Sequence, residues 1–260
     1  MSFDVRQFVS YQIANAPMRG YPFPHFFAHP VFPPEAYEAL QANLPPTPLL
    51  QPITKSTVGY TDPETGEPIA PPQKGSEQYR YIADVGEFSA RDDNAERSAF
   101  WRDIEQWILS DAFRDLVIAK FAEGIRQRLG PTIRIDTRVE ARFVRDFTSY
   151  AIHPHTDSPH KLISLLFYLP RDDSMRQLGT TIFRPIDPAK RCEGSARHPF
   201  SEFKKVATME YLPNALFAFL KTDFSFHGVE PIRERDIERN LLLYNIYLRK
   251  VVVPAPAPAG

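Results

Sequence analysis

The chain carries one cysteine, Cys192, in 260 residues. A lone thiol excludes an internal disulfide and fits a reducing cytoplasm. No apolar run approaches the ~20 residues that a membrane-spanning helix needs. The opening Met1-Ser-Phe-Asp-Val-Arg6 also lacks a basic stretch followed by an apolar one, so no secretory signal is expected. An excess of either charge is missing too: 31 Lys and Arg face 32 Asp and Glu, for a net charge of −1. Enzymes of nucleic acids need a basic stripe to neutralise phosphates. The nearest approach, Lys190, Arg191, Arg197, Lys204 and Lys205, is diluted by acids and reads as a solvated loop. No internal repeat is present, and no pattern specifies an oligomeric state. These absences point to a cytoplasmic protein without nucleic-acid or membrane partners.

What is present changes character along the chain. Residues 1–20 hold Phe3, Val5, Phe8, Val9, Tyr11 and Ile13 at partly helical spacing. A short strand is predicted between Pro22 and Pro30, then a helix over 32–43 that tolerates prolines in its first turn and stops at Leu44-Pro45. Residues 45–80, rich in Pro, Thr, Gly and charge, read as a long loop. Two helices follow. One is capped by Asn94 and carries Phe100, Trp101, Ile104, Trp107 and Ile108; the other starts at Asp111 and ends before Gly130-Pro131.

From Ile133 onward the pattern is β. Strands are predicted at Val139–Phe147, Leu162–Leu169, Thr180–Phe183, Val206–Tyr211, Ala215–Leu220 and Leu241–Leu248. Many strands without intervening helices indicate an antiparallel double-sheet core. The expected fold class is mainly β with helices (α+β), the N-terminal helices packing on one sheet. One domain spans 1–260: a helical lead-in and long loop over 1–132, the core over 133–250, and a Pro/Ala tail over 251–260, expected to be extended and poorly ordered. Residues 171–179 and 185–204 are polar insertions between strands.

The chemistry concentrates in Tyr150-Ala-Ile-His-Pro-His-Thr-Asp-Ser-Pro-His160. In extended backbone, residues i and i+2 share a face, so His155 and Asp157 can reach one metal ion. A third ligand must come from elsewhere, and His227 closes another apolar run. Two histidines and one carboxylate form the facial triad of non-haem Fe(II), which leaves three coordination positions open. Any one of these residues alone is more often an ordinary loop polar. His153 and His160 compete as ligands in sequence; neither precedes an acid by two residues. His25 and His29 read as structural and His198 as exposed.

His155-x-Asp157 ahead of a strand, His227 after one, and Arg239 shortly beyond it together resemble the 2-oxoglutarate- and Fe(II)-dependent dioxygenases, in particular the prolyl 4-hydroxylase-like branch. The resemblance covers about Val139 to Leu248. It implies a double-stranded β-helix (jelly-roll) core, with His155, Asp157 and His227 as metal ligands and catalytic centre. Fe(II), 2-oxoglutarate and dioxygen are the implied cofactors, and oxidative decarboxylation to succinate enables hydrogen abstraction from an unactivated C–H bond. Arg239 is the implied clamp for the distal carboxylate, a guanidinium being a fixed fork that stays charged when buried. Arg233 and Arg235 are its rivals.

Many members place a serine or threonine two positions after the arginine; here Leu241 stands there, so Tyr168, Ser164 and Thr181 are candidate second partners. Lys221 and Thr222 are further candidates for the mouth. Arg142 and Arg145, at odd separation on one strand, must face opposite sides of the sheet; Arg142 is the candidate for substrate or cosubstrate contact. Tyr150 is similar to aromatics that precede H-x-D in this branch, at a different spacing. The expected reaction is hydroxylation of a small polar metabolite or of an amino-acid or peptide side chain. A cupin-type isomerase or hydrolase without 2-oxoglutarate would not need Arg239, and a non-catalytic jelly-roll binding module would not need all three ligands. Residues 51–80, with one or both insertions, are expected to form a mobile lid over the site.

Overall fold

The computed structural model describes residues 3–53, 60–61, 68–69, 79–131, 134–194 and 196–252. The N-terminal half contributes helix α1 (Phe3–Asn15), strand β1 (His25–Ala28), helix α2 (Pro34–Ala42), and the short strands β2 (Gln51–Pro52), β3 (Tyr60–Thr61) and β4 (Pro68–Ile69). Strand β5 (Arg80–Asp84) and helices α3 (Val85–Arg91), α4 (Ala95–Ile108), α5 (Asp111–Lys120) and α6 (Ala122–Leu129) complete it. The C-terminal half is β6 (Arg134–Phe147), β7 (Ile152–His155), β8 (Lys161–Tyr168), β9 (Thr180–Pro185), β10 (Phe203–Met209), β11 (Ala215–Leu220), β12 (His227–Val229) and β13 (Glu238–Val252).

Strands β6 to β13 divide between two antiparallel sheets. The larger has the order β1-β11-β8-β13-β6-β5-β2 and the smaller β10-β9-β12-β7. Sequence-adjacent strands therefore cross repeatedly from one sheet to the other, and only β9 and β10 stay together as a hairpin. That connectivity is the winding of a double-stranded β-helix. Period-2 alternation decides what each face carries. On β13, Leu242, Tyr244 and Ile246 turn to the helices, where Trp101, Phe113, Val117 and Phe121 bury them. Leu241 turns the other way and packs between the sheets with Val144, Tyr150, Tyr168, Ile182 and Phe217.

The helix signals act as local chemistry dictates. The Asn94 side chain accepts from the Arg97 N–H at the start of α4, and Ser110 caps α5 through the Phe113 N–H. The single helix predicted from Asp111 breaks into α5 and α6 at Phe121, whose ring is buried against Phe26 of β1. Six strands and one helix lie outside the sequence expectation: β2, β3, β4, β5, β7, β12 and α3. Strands β7 and β12 are four and three residues long. Neither has a periodic apolar pattern; their pairing with each other makes them strands. Strand β5 extends the larger sheet by pairing with β6, so the lead-in is part of the sheet as well as its backing. The expected lid falls largely on residues 54–59, 62–67 and 70–78, and the tail on 253–260, all outside the described residues.

Asn214 fastens the lead-in to the core. It sits at φ 61° before β11. Its Oδ1 accepts from the Val31 and Phe32 N–H groups, and its Nδ2 donates to the Phe32 carbonyl. Asn214→Ala should therefore destabilise the fold by about 2–4 kcal/mol, from buried groups left unsatisfied and strain at positive φ. Asn214→Gly should recover only the strain part. Guanidinium unfolding of the three proteins separates the contributions.

Candidate metal centre

His155 ends β7 and His227 begins β12, and the antiparallel register pairs them directly. Their rings lie 4.4 Å apart between centroids. Asp157, two residues past His155, brings its Oδ1 to 4.0 Å from the His227 Nε2. One ligand atom from each of the three residues falls within 4.8 Å of the others.

Each imidazole is oriented by its own backbone. The Nδ1 of His155 is 3.0 Å from the His153 carbonyl, and that of His227 is 3.0 Å from the Ser225 carbonyl. A carbonyl can only accept, so Nδ1 carries the proton and the Nε2 lone pair is left to bind a metal. Burial holds His155 well below the ordinary histidine pKa and lowers His227 as well. Burial would raise the Asp157 carboxyl, but Lys161 and the two imidazoles outweigh it and hold the group below the carboxylate range. The Lys161 Nζ is 3.2 Å from Oδ1, and the Ser164 hydroxyl donates to Oδ2 at 2.8 Å. Neutral imidazoles beside an ionised carboxylate are the donor set that divalent iron takes, so these residues fit the metal.

The depressed histidines have a consequence for pH. The unfolded chain takes up its protons first, at about pH 6.5, whereas the folded chain resists them. Metal-free protein should lose stability as the pH falls through and below that value, by up to ~1.4 kcal/mol per pH unit per histidine. Guanidinium midpoints at about pH 7 and pH 5 should differ less in His155→Asn/His227→Asn. His25, His153 and His198, which burial also lowers, contribute to the remaining slope.

The triad opens into a cavity of about 320 Å³ between the two sheets. At one end lies Arg239, fully buried. Its Nε donates to the Leu178 carbonyl at 2.6 Å and its Nη1 to Asp146 at 2.7 Å. The guanidinium carbon lies 5.3 Å from the Tyr211 ring and 5.9 Å from the Tyr168 ring, within cation–π range. Its Nη2 has no hydrogen-bond partner. Arg239 lines the cavity and keeps one guanidinium nitrogen without a partner, where the sequence suggested a two-pronged fork. Asp146 also receives both prongs of Arg80, so one carboxylate serves two arginines.

The other sequence candidates separate. Ser164 and Arg142 line the cavity, Arg142 being paired with Asp84 outside it, while Arg145 turns to the opposite face toward Asn240 and Thr47. Tyr168 lies behind the wall with its hydroxyl accepting from the Thr180 N–H. Thr181 faces away, its hydroxyl 3.0 Å from that of Thr208. Thr180 lines the cavity in its place, with a buried hydroxyl that has no partner. One step along β9 reverses the side chain, which a strand read without its partners does not reveal. Arg233 and Arg235 are exposed, and Lys221 pairs with Asp223 outside the cavity. His160 is exposed, His153 packs on Phe200, and His198, expected on the surface, is half-buried. The sequence reading missed Arg80 and Arg197, both of which line the cavity from segments taken for loops.

No family model matches the sequence, and no curated protein is detectably similar to it. Solved structures are similar in fold. A Pseudomonas putida prolyl-4-hydroxylase shares 14% identity, with 93% of this chain and 99% of that chain covered and a TM-score of 0.49. The non-heme alpha ketoglutarate dependent carbocyclase SnoK from nogalamycin biosynthesis shares 9% identity over 95% of this chain and 84% of its own, at 0.47. EvdO2 from Micromonospora carbonacea var. aurantiaca, complexed with 2-oxoglutarate, shares 11% over 99% and 95%, at 0.45. At such identities and scores these likenesses add no weight to the strand order and site geometry. Among the described residues, no helix is long and apolar enough to cross a membrane.

Proposed function

We propose that the protein is an Fe(II)- and 2-oxoglutarate-dependent oxygenase that hydroxylates a small polar metabolite or an amino-acid or peptide side chain. One observation carries the reading: a buried His-Asp-His triad and the unpartnered Nη2 of buried Arg239 belong to the same cavity. His155, Asp157 and His227 would hold the iron, which when bound with 2-oxoglutarate and dioxygen supplies the oxidant. The chain's own work is binding and orientation. The backbone carbonyls of His153 and Ser225 fix the imidazole tautomers, and Ser164 and Lys161 keep Asp157 ionised. The Arg239 Nη2 would receive a carboxylate oxygen of the cosubstrate. A buried cationic donor left unsatisfied costs about 1–3 kcal/mol, and an incoming carboxylate relieves that cost. Leu166, Phe219, Leu241 and Leu243 line the cavity with apolar surface that keeps water away from the reacting centre.

The test is succinate formation from 2-oxoglutarate by the iron-loaded protein in air, with and without chelator. The reading predicts turnover that needs both iron and 2-oxoglutarate, and 2-oxoglutarate that raises the melting temperature only of metal-loaded protein. Metal-dependent activity indifferent to 2-oxoglutarate would move the protein to the isomerase or hydrolase class.

A further inference from the structure

One row of side chains along β13 runs the length of the cavity. Arg239, Leu241, Leu243 and Asn245 all line it, as the period-2 alternation of a strand requires. The β13–β6 register is unbroken from Arg239 to Asn245, so about 20 Å of extended backbone separates the two. That span exceeds the length of a five-carbon dicarboxylate. Asn245 therefore stands at the opposite end of the row from the cosubstrate clamp.

The strands on either side fix what surrounds it. Asn245 pairs with Ser164 of β8 and with Glu140 of β6. The Ser164 hydroxyl donates to Asp157, so Asn245 neighbours a residue that holds a metal ligand. On the other side the Asn245 Nδ2 donates to the Glu140 Oε1 at 3.1 Å. The Tyr247 hydroxyl donates to the same oxygen at 2.6 Å, and Arg138 and Arg142 lie 3.4 and 3.3 Å from Oε2. A carboxylate so surrounded by donors only accepts. The Asn245 amide therefore cannot reverse without setting two acceptors against each other. Its carbonyl oxygen accepts no hydrogen bond from the described residues, although Asn245 is only 4% exposed. A buried acceptor in that state is costly until something in the cavity supplies a donor. At neutral pH 2-oxoglutarate carries acceptor oxygens alone and cannot supply it.

Resting on the oxygenase reading, we propose that Asn245 is a specificity-determining residue, whose carbonyl oxygen accepts a hydrogen bond from an N–H or O–H group of the primary substrate. The substrate is then an amide or an alcohol, with the carbon to be oxidised close to that group. Glu140 is the positioning residue that keeps the Asn245 amide turned as an acceptor.

The test uses protein loaded with manganese(II) and 2-oxoglutarate under argon, which does not turn over. Manganese takes imidazole and carboxylate donors, and as a paramagnetic ion it broadens the NMR signals of small molecules bound beside it. N-methylacetamide and 2-propanol are the donor probes; N,N-dimethylacetamide and 2-methoxypropane are their donor-free counterparts. In wild type at least one donor probe should broaden saturably and bind about threefold to tenfold more tightly than its counterpart. The pair with the larger ratio names the group as amide or alcohol. Asn245→Leu and Asn245→Ala should each bring that ratio to within about twofold of unity, since Glu140 keeps Tyr247 and both arginines and only the acceptor is lost. Both variants should bind 2-oxoglutarate within about threefold of wild type, which also reports that they are folded. A ratio near unity in wild type, no saturable broadening of either donor probe, or a ratio retained in a folded variant overturns the proposal. Failure of manganese-loaded wild type to bind 2-oxoglutarate at all is the separate result that overturns the oxygenase reading, and this proposal with it.

Discussion

His227→Ala should abolish turnover and lower metal affinity by more than a hundredfold while the fold persists. Substitution of groups that only orient metal ligands typically costs ten- to a hundredfold, so removal of a ligand itself exceeds that range. The effect is specific because His227 sits directly opposite His155 in the β12–β7 pairing, and no other described histidine belongs to the metal cluster. Folding is spared because β12 is three residues long and Phe226 and Val229, on either side of His227, carry the local burial. Metal-dependent increase in melting temperature gives a readout independent of activity: wild type should show it and His227→Ala should not. Asp157→Ala should fail in the same way, and Lys161 would additionally lose the carboxylate it faces. Full metal binding by His227→Ala would sink the triad assignment.

Arg239→Lys is expected to raise the apparent KM for 2-oxoglutarate ten- to a hundredfold. The unpartnered Nη2 is one charge-assisted donor, worth about 1.5–3 kcal/mol. A lysine retains charge but cannot hold Leu178, Asp146 and a ligand from one rigid plane. Arg239→Ala is the poorer test, since it strips a cation from Asp146 where both side chains are fully buried. Breaking such a pair costs ~3–5 kcal/mol, and because Arg80 stays on Asp146 the lower end of that range is expected. Initial rates against 2-oxoglutarate, with unfolding curves of both variants, separate the contact from the scaffold. An unchanged KM in a folded Arg239→Lys would remove Arg239 from cosubstrate binding.

The sequence by itself determined the elements that bury much and repeat regularly. The aromatic spacing of α4, the cap at Asn94, the run of β11 and the alternation of β13 each identify their element, because one-dimensional periodicity mirrors a face turned to the core. It also determined the chemistry of His155, Asp157 and His227, whose spacing needs only a strand end to bring the first two together. The placement of Arg142 and Arg145 on opposite faces followed from their odd separation alone. Tertiary structure decided the rest. Strands β7 and β12 exist because they pair, and nothing in Ile152-His-Pro-His155 or His227-Gly-Val229 separately favours a strand. Thr180 reaches the cavity and Thr181 does not because the register of β9 against β12 and β10 fixes which face is inward. Arg80 and Arg197 come from segments without periodicity, 117 positions apart, and meet at one cavity only through the pairing of β5 with β6 and the docking of the 185–204 insertion on β7. Local patterns encode which face of an element is buried; the cross-strand and loop contacts that assemble a site are summed over residues far apart in the chain, and no local window contains them.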